Sequence, residues 1–432
     1  MGSKLMTRPV FIVDGSRTPF IKARSGPGPF TPVDLAVQCG RPLLARQPFA
    51  ADAFDMVILG CVNVIADEMN PARVAALRLG MGERMVAFTE QINCGSGMQS
   101  IDTAFRYIRE GRAEMILAGG AESLSHAPLV FSQAGVKWFA NFSMARDTMS
   151  RLAAFLKVRP GYFKPIIGLE RGLTDPIVEL NMGQTAELVA QLFGITREQC
   201  DAYAVESHKR LANAQEQGFL KGEVETAFAN DGKYYDHDDG VRPDSSVEKL
   251  AQLKPAFERP WGKVTAGNSS QITDGASWVI VASEDAMKQH GLTPKAQIMD
   301  SQWSALDPSI MGLGPVLAVT ALMKRNKMGL GDIELLELNE AFAAQVLGCL
   351  GAWENDKFCR DILGLDGAAG TFDRSKLNVD GGAIALGHPV GASGNRITLH
   401  LVNALKRLGK KRGIATQCVG GGLGGAVLIE AV

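Results

Sequence analysis

One order of secondary structure is written twice along this chain, and the duplication restricts the fold more than any other feature. In the first third, residues 10–14, 56–60 and 85–88 have the length and apolar character of strands. A loop at 91–97 leads into a helix whose Met98, Ile101, Phe105 and Ile108 share one face, with Gly111 placed to stop it. Residues 115–118 read as a buried strand ending at Gly119 and Gly120. The last third follows the same plan. Strands at 296–300 and 334–338 precede a helix through 341–350, and 377–379 leads into a glycine-rich turn at 381–394. The next helix carries Ile397, Leu401, Leu405 and Leu408, and a strand at 414–417 ends at Gly420. Strand–helix alternation of this kind implies an α/β fold with mostly parallel sheets. Loops at strand-to-helix junctions are where such sheets hold ligands.

The middle of the chain departs from this plan. Residues 122–267 combine a Pro/Phe/Trp-rich stretch, helices such as 201–217 and a polar loop at 231–244. The division that results is 1–121 as a first half continued at 268–292, 122–267 as an inserted loop domain, and 293–432 as a second half. A chain of 432 residues is too long for one ordinary core, which agrees. Within the insert, 130–171 carries Lys137, Arg146, Arg151, Lys157, Arg159, Lys164 and Arg171 against only Asp147 and Glu170. That is either a solvated helical face or a docking surface for a partner, a membrane or a polyanion.

Bulk properties exclude several classes. The 45 Lys+Arg and 46 Asp+Glu leave a net charge of −1, with no global attraction to nucleic acid. The seven cysteines form no CxxC pair, so neither a zinc site nor a thioredoxin-like motif is expected, and free thiols in a reducing compartment are. Residues 1–5 read as an appended leader before Met6; no signal peptide, myristoylation site or membrane span is expected. Residues 413–432, too rich in glycine for a span, read as a strand hairpin.

Four constellations carry chemistry. Cys94, in Gln91-Ile92-Asn93-Cys94-Gly95-Ser96-Gly97-Met98, stands where a helix starts, and the helix dipole there favours thiolate. By itself it also reads as a small buried cysteine in a tight turn. His388 lies in Gly387-His388-Pro389-Val390-Gly391-Ala392-Ser393-Gly394, among too many glycines to be explained by packing, and suits a general base on a fixed, exposed loop. Cys418 precedes Val419-Gly420-Gly421-Gly422-Leu423-Gly424-Gly425. Gly420, Gly422 and Gly425 fit a dinucleotide fingerprint in spacing, but no helix and no acidic residue about 20 positions later follow, so that reading fails. Asn339, in Glu337-Leu338-Asn339-Glu340-Ala341-Phe342-Ala343, reads equally as a helix N-cap.

Together these motifs resemble the thiolases in order and spacing. The resemblance extends to Ser16-Arg17-Thr18-Pro19, Ala118-Gly119-Gly120-Ala121-Glu122-Ser123, Gly172-Leu173-Thr174-Asp175-Pro176, Val264-Thr265-Ala266-Gly267-Asn268-Ser269-Ser270 and Asp274-Gly275-Ala276, covering nearly the whole chain. It implies a five-layered αβαβα fold of two similar halves with a loop domain inserted. It implies that Cys94 is acylated while His388 takes its proton, and that Cys418 deprotonates acetyl-CoA in condensation or protonates the enolate in thiolysis. His388 and a water held by Asn339 would serve the enolate oxygen, and the N–H groups of Cys94 and Gly420 the tetrahedral intermediate. Losing one such donor costs about 2.7–4 kcal/mol of barrier. Coenzyme A would lie over the inserted domain against Ser270 and Arg242, with Met182, Met311 and Phe342 around the acyl group. Coenzyme A and acetyl-CoA are then substrates, and the resemblance calls for no permanently bound cofactor and no metal.

Other implications are a homodimer or homotetramer, a place in fatty acid and lipid metabolism, and a bacterial cytoplasmic location. Departures from the pattern divide. Asn181 stands where short-chain biosynthetic members have His. The stretches 356–373 and 130–171 resemble fatty-acid-degrading thiolases that pair with a hydratase/dehydrogenase subunit, whereas Asn339 and Gly391-Ala392-Ser393-Gly394 resemble acetyl-CoA acetyltransferases. Acetyl-CoA acyltransfer on acetoacetyl-CoA or longer 3-oxoacyl-CoA is the leading expectation, with chain length open. A β-ketoacyl synthase pairs its Cys with two His, against which Cys418 and Asn339 speak. A silent scaffold of the same fold would not need all four polar residues intact.

Overall fold

The computed structural model describes residues 8–24 and 26–432; the leader reading of 1–5 falls outside them. Nine strands form the framework. The first half supplies β1 (Val10–Arg17), β2 (Met56–Gly60), β3 (Val86–Glu90), β4 (Met115–Ser123) and β5 (Thr273–Ser283). The second supplies β6 (Ala296–Ala305), β7 (Leu335–Leu338), β8 (Arg412–Val419) and β9 (Leu423–Ala431). Their order is β7-β8-β9-β6-β1-β5-β4-β2-β3, with the two-residue strand Ile21–Lys22 added beside β5. The halves join where Val10, Phe11 and Ile12 of β1 pair with Ile298, Gln297 and Ala296 of β6.

Side-chain alternation along β5 explains the layers. Trp278, Ile280 and Ala282 face outward onto α1 (Pro32–Ala45), while Val279 and Val281 face a central layer. That central layer is two helices, α2 (Ser96–Arg109) and α7 (Val390–Leu408), packed on each other and on strands of both halves. Met98, Ile101 and Phe105 of α2 share one cluster with Ile397, Leu401 and Leu405 of α7. Full burial of each large aliphatic is worth about 1.5–3 kcal/mol. On the far side, α3 (Met182–Leu192), α4 (Arg197–Glu216), α5 (Gly314–Arg325) and α6 (Ala343–Glu354) share the outer cluster of the second half. Helix, sheet, helix, sheet and helix follow in turn, the αβαβα arrangement expected.

The sheet is not mostly parallel. Only β2–β3, β2–β4 and β7–β8 are parallel pairs. The expectation failed because β9 follows β8 after a turn of three glycines, Gly420–Gly422, which leaves no chain for a crossover. Residues 413–432 are the hairpin expected. Strand β4 also runs through Gly119 and Gly120 rather than stopping there. A Cβ on Gly120 would lie 2.1 Å from the Gly391 carbonyl oxygen, and one on Gly97 would lie 2.6 Å from the same atom. These bare positions admit the start of α7 between β4 and α2.

Two further expectations are corrected. Residues 377–379 form no strand, only a bridge between Leu336 and Leu377. The turn at 381–394 is instead a short helix, Ala383–Leu386, and the opening of α7, separated by three residues; Gly387 (φ 105°) makes the bend. The helix that was expected at 341–350 begins at Ala343. Between β4 and its antiparallel neighbour β5, residues 124–272 leave and return, carrying α3, α4 and two short ribbons. No helix among the described residues is long and apolar enough to cross a membrane.

Candidate active site

Cys94 sits in the turn between β3 and α2. Asn93 adopts a left-handed backbone (φ 46°), and Ser96 Oγ closes the turn, accepting from the Ile92 N–H at 2.9 Å and donating to the Asn93 carbonyl at 2.7 Å. Asn93 Nδ2 donates to the Gly420 carbonyl at 2.9 Å, tying this turn to the β8–β9 turn. The Gly420 backbone in turn favours ionisation of the Cys94 sulfur. Of the seven free cysteines only Cys94 is partly exposed. The expected thiolate does not prevail in the resting protein: burial pushes the thiol pKa up and outweighs the Gly420 bond, with the Glu122 charge acting in the same direction as burial.

His388 occupies the three-residue link ahead of α7. It is buried rather than on an exposed loop, with its N–H bonded to the Gln271 carbonyl at 3.0 Å. Its Nδ1 lies 2.6 Å from Ser393 Oγ, which is 3.1 Å from the Pro389 carbonyl. A hydroxyl has one proton: where Ser393 gives it to the Pro389 carbonyl, Nδ1–H donates to Ser393 and Nε2 keeps its lone pair, which is the tautomer in which Nε2 can act as a base. Burial, with Arg396 second, holds the imidazole pKa down to about 3, so the ring is neutral near pH 7.

Asn339 follows β7 and does not cap α6, whose N-cap is Phe342. Its Nδ2 lies 3.4 Å from Nε2 and 3.5 Å from Nδ1 of His388, and its buried Oδ1 accepts from no protein group. Cys418 lies one residue before the end of β8, beside Cys94; burial, then the neighbouring Cys94 and Cys349, raises its thiol pKa well above the usual range.

These groups meet in one cavity of about 440 Å³. Cys94, His388 and Cys418 line it together with Met182, Met311, Phe342, Ser270 and Arg242. Met182, Met311 and Phe342 also pack in or against the hydrophobic core. Asn339 and Gly420 stand one bond behind the wall. Asn181 lines the cavity too and caps α3, accepting from the Gln184 N–H at 2.9 Å.

Several participants were missed from sequence. Lys22, Leu169, Leu173 and Phe257 complete the wall. Lys22 lies near the motif Ser16–Pro19 and could have been suspected; Phe257 carried no signal. Glu122, within a quoted motif but given no role, accepts from the N–H groups of Val62 (3.1 Å), Asn63 (2.9 Å) and Gly391 (3.0 Å). It anchors the first turn of α7, and burial outweighs those bonds and lifts its pKa to about 7. Glu340 binds Tyr203 and Asn378 through Oε1 (both 2.9 Å) and Ser207 through Oε2 (2.6 Å), fixing the segment that bears Asn339.

Residues 10–285 match the family model described as the thiolase N-terminal domain, and residues 292–431 the thiolase C-terminal domain. The chain is 38% identical over 429 residues to a mitochondrial 3-ketoacyl-CoA thiolase of Rattus norvegicus, covering 98% of this chain and 99% of that protein. It is 38% identical over 432 residues to a β-ketoadipyl-CoA thiolase of Pseudomonas aeruginosa, covering 99% and 100%. The human mitochondrial 3-ketoacyl-CoA thiolase in complex with CoA superposes with a TM-score of 0.84 at 37% identity, covering 99% of each chain. The Bacillus anthracis acetyl-CoA acetyltransferase gives the same TM-score at 34% identity, covering 99% of this chain and 100% of that one.

Proposed function

This chain belongs to the thiolase family, and from that premise we propose that it is an acetyl-CoA C-acyltransferase that cleaves or forms 3-oxoacyl-CoA through an acyl-cysteine. The observation that carries the reading is the single cavity shared by Cys94, His388 and Cys418.

In thiolysis, Cys94 gives its proton to His388 Nε2 as sulfur attacks the 3-oxo carbon. The tetrahedral oxyanion is met by the N–H groups of Cys94 and Gly420. The bond between C2 and C3 breaks, leaving the acyl group on Cys94 and the enolate of acetyl-CoA, which Cys418 protonates at C2. His388 and a water on Asn339 stabilise the enolate oxygen. Coenzyme A then enters as its thiol, gives its proton to the Cys418 thiolate as it attacks the acyl-cysteine, and leaves as acyl-CoA while the Cys94 sulfur takes its proton back from His388. Condensation is the reverse. Ser270 and Arg242, with Lys22 beside them, bind the coenzyme A arm; it is a substrate, and no permanent cofactor is required.

The acyl group is apolar. Leu169, Leu173, Met182, Phe257, Met311 and Phe342 surround the space, and among the described residues Lys22 and Arg242 are the wall's only Lys or Arg side chains. The charges that act on the reacting groups are Glu122 and Arg396, not those two. This favours fatty 3-oxoacyl chains over the β-ketoadipyl group acted on by the Pseudomonas relative.

The same reading includes the division into 1–121 with 268–292, 122–267 and 293–432. It also includes a cytoplasmic homodimer or homotetramer in fatty acid metabolism, with 130–171 docking on a hydratase/dehydrogenase partner or a membrane. The test is incubation with acetoacetyl-CoA and longer 3-oxoacyl-CoA plus free coenzyme A. Acetyl-CoA must appear, and Cys94→Ser must abolish acyl labelling; failure of the first sinks the thiolase reading.

A further inference from the structure

The turns that carry the two catalytic sulfurs meet on one side chain outside the cavity. Trp303 of β6 stands opposite Gly425 of β9, and Gly425 stands opposite Gln417, the residue before Cys418 on β8. A Cβ on Gly425 would lie 2.6 Å from Trp303 Cζ3 and 2.8 Å from Cη2. The same two ring atoms reach the turn of the nucleophile, where a Cβ on Gly95 would lie 3.0 Å from Cζ3 and 2.9 Å from Cη2. That Cβ would also meet Cγ2 of Val419, the residue after Cys418, at 3.1 Å. The benzo edge of one tryptophan therefore fills the space left by two missing side chains, one next to Cys94 and one across the strands from Cys418.

The indole is held from its other end as well. Its Nε1 donates at 3.3 Å to Oδ2 of Asp102 on α2, the helix whose N-cap is Gly95. Asp102 is buried, accepts from Ser301 Oγ on β6 and holds Arg106 Nε at 3.0 Å. Strand β6 is thus latched to α2 at two points about two helical turns apart. The latch matters because the ring is only half-buried. Its outer side lines a cleft with Phe105, Arg106 and Arg109, which offers room for the ring to swing out.

Trp303 does not line the catalytic cavity, so it acts through what it supports. We infer that Trp303 is a positioning residue whose benzo edge sets the separation of the Cys94 and Cys418 sulfurs for the carbon–carbon step. The inference rests on the thiolase reading of those two cysteines. Acyl transfer and carbon–carbon cleavage need that separation to different degrees. When acetyl-CoA acylates Cys94, coenzyme A is expelled as a thiolate, an anion stable in water that departs even where Cys418 is out of line. The enolate of acetyl-CoA must instead receive the Cys418 proton on carbon C2 as the bond to C3 breaks. A misplacement of about 1 Å costs an alignment-dependent step about 100-fold. Loosening the wedge therefore falls on the carbon–carbon step and spares acylation.

The experiment compares three variants of the full chain. Trp303→Ala lowers kcat for thiolysis of acetoacetyl-CoA by about 10–100-fold, while KM and the rate of Cys94 labelling by acetyl-CoA stay within about threefold. Gly425→Ala keeps the ring and pushes on it, and it gives the same split even where Trp303→Ala does not fold. The double variant is no worse than Trp303→Ala alone, because the new methyl enters vacated space. Capture of phenylarsine oxide, which needs both sulfurs at once, is at least about tenfold slower in Trp303→Ala than in the wild type. Labelling that falls in step with thiolysis overturns the inference, as do unchanged thiolysis in Gly425→Ala and additive losses in the double variant. Arsenical capture does not depend on turnover. A wild type that makes no acetyl-CoA therefore refutes the thiolase reaction, whereas equal capture by wild type and Trp303→Ala refutes the positioning role.

Discussion

Replacing Ser393 by Ala tests the base at its least visible support. Ser393 is fully buried and its Oγ holds His388 Nδ1 at 2.6 Å while donating to the Pro389 carbonyl. Removing it strands the His388 Nδ1 group, while the Pro389 carbonyl still accepts from the Ala392 and Ser393 N–H groups, and an unpaired buried donor costs about 1–3 kcal/mol. Part of that cost is relieved if the ring proton moves to Nε2, which turns the lone pair that should accept the Cys94 proton away from sulfur. A tautomer penalty of that size corresponds to a fall in kcat of about 10–100-fold. KM for acetoacetyl-CoA should hardly change, because Ser393 does not line the cavity. Steady-state thiolysis gives kcat and KM, single-turnover acyl labelling isolates the Cys94 step, and nitrogen NMR of the imidazole reports the tautomer directly. A variant with normal melting and kcat within about twofold of wild type would falsify the assignment of Nε2 as the base.

Four other outcomes follow from the same geometry. Because burial raises the Cys94 thiol, alkylation by iodoacetamide should still be accelerating at pH 9, whereas a plateau near neutrality would reveal a resting thiolate–imidazolium pair. Gly120→Ala puts a Cβ 2.1 Å from the Gly391 backbone oxygen, so it should displace the start of α7, cost about 1–3 kcal/mol of stability and depress kcat; full activity with unchanged melting would refute the close approach. Although burial opposes its charge, His400 is raised to about 10 by Glu223 and Asp380. A raised folded-state pKa gives stability that is complete below the unfolded value of about 6.5 and lost as pH rises through 10. Melting temperature should therefore drop more steeply from pH 7 to pH 10 for wild type than for His400→Gln, and parallel curves would contradict the pairing. Finally, 3-oxooctanoyl-CoA should exceed 3-ketoadipyl-CoA in kcat/KM by at least about tenfold, and the reverse order would show a carboxylate partner that the apolar wall does not reveal.

The doubled plan was legible from its repeated apolar runs, and Cys94, His388 and Cys418 because glycine-flanked polar residues have few structural explanations, whereas Asn339, with no glycine beside it, was reached only through the resemblance. Helices were legible from their apolar stripes, as in Met98, Ile101 and Phe105. Strand direction was not legible, since a run such as 423–431 looks alike whichever neighbour it meets, and a three-residue turn decides the matter. The lengths of β4 and α7 were misjudged for one reason. Gly119, Gly120, Gly391 and Gly394 were taken as breaks, whereas they are close approaches within regular elements. Electrostatics was the least accessible property. The helix dipole near Cys94 is visible in a sequence, but the desolvation that outweighs it depends on what packs around the sulfur. Glu122 and Ser393 act at a distance of hundreds of positions or through a single hydroxyl, so neither announces itself.

The resting site keeps its reacting groups uncharged, and the scaffold works toward that end. Burial holds both thiols protonated and the imidazole neutral. The charged partners push the same way: an ionised Glu122 raises the Cys94 pKa, and Arg396 lowers that of His388. A ready-made thiolate–imidazolium pair would have to be desolvated without substrate, and its negative sulfur would oppose ionisation of Cys418 close by. In a neutral site, charge arises only as bonds to the substrate form, and the proton leaving Cys94 travels with sulfur's attack. The developing oxyanion then meets N–H dipoles, among them that of Gly420, a residue whose carbonyl is tied down by the Asn93 carboxamide. Such donors need no reorganisation at the moment of reaction. The glycines of the two turns therefore matter for catalysis by what they leave room for, and the carboxylate and guanidinium behind them by the charges they forbid.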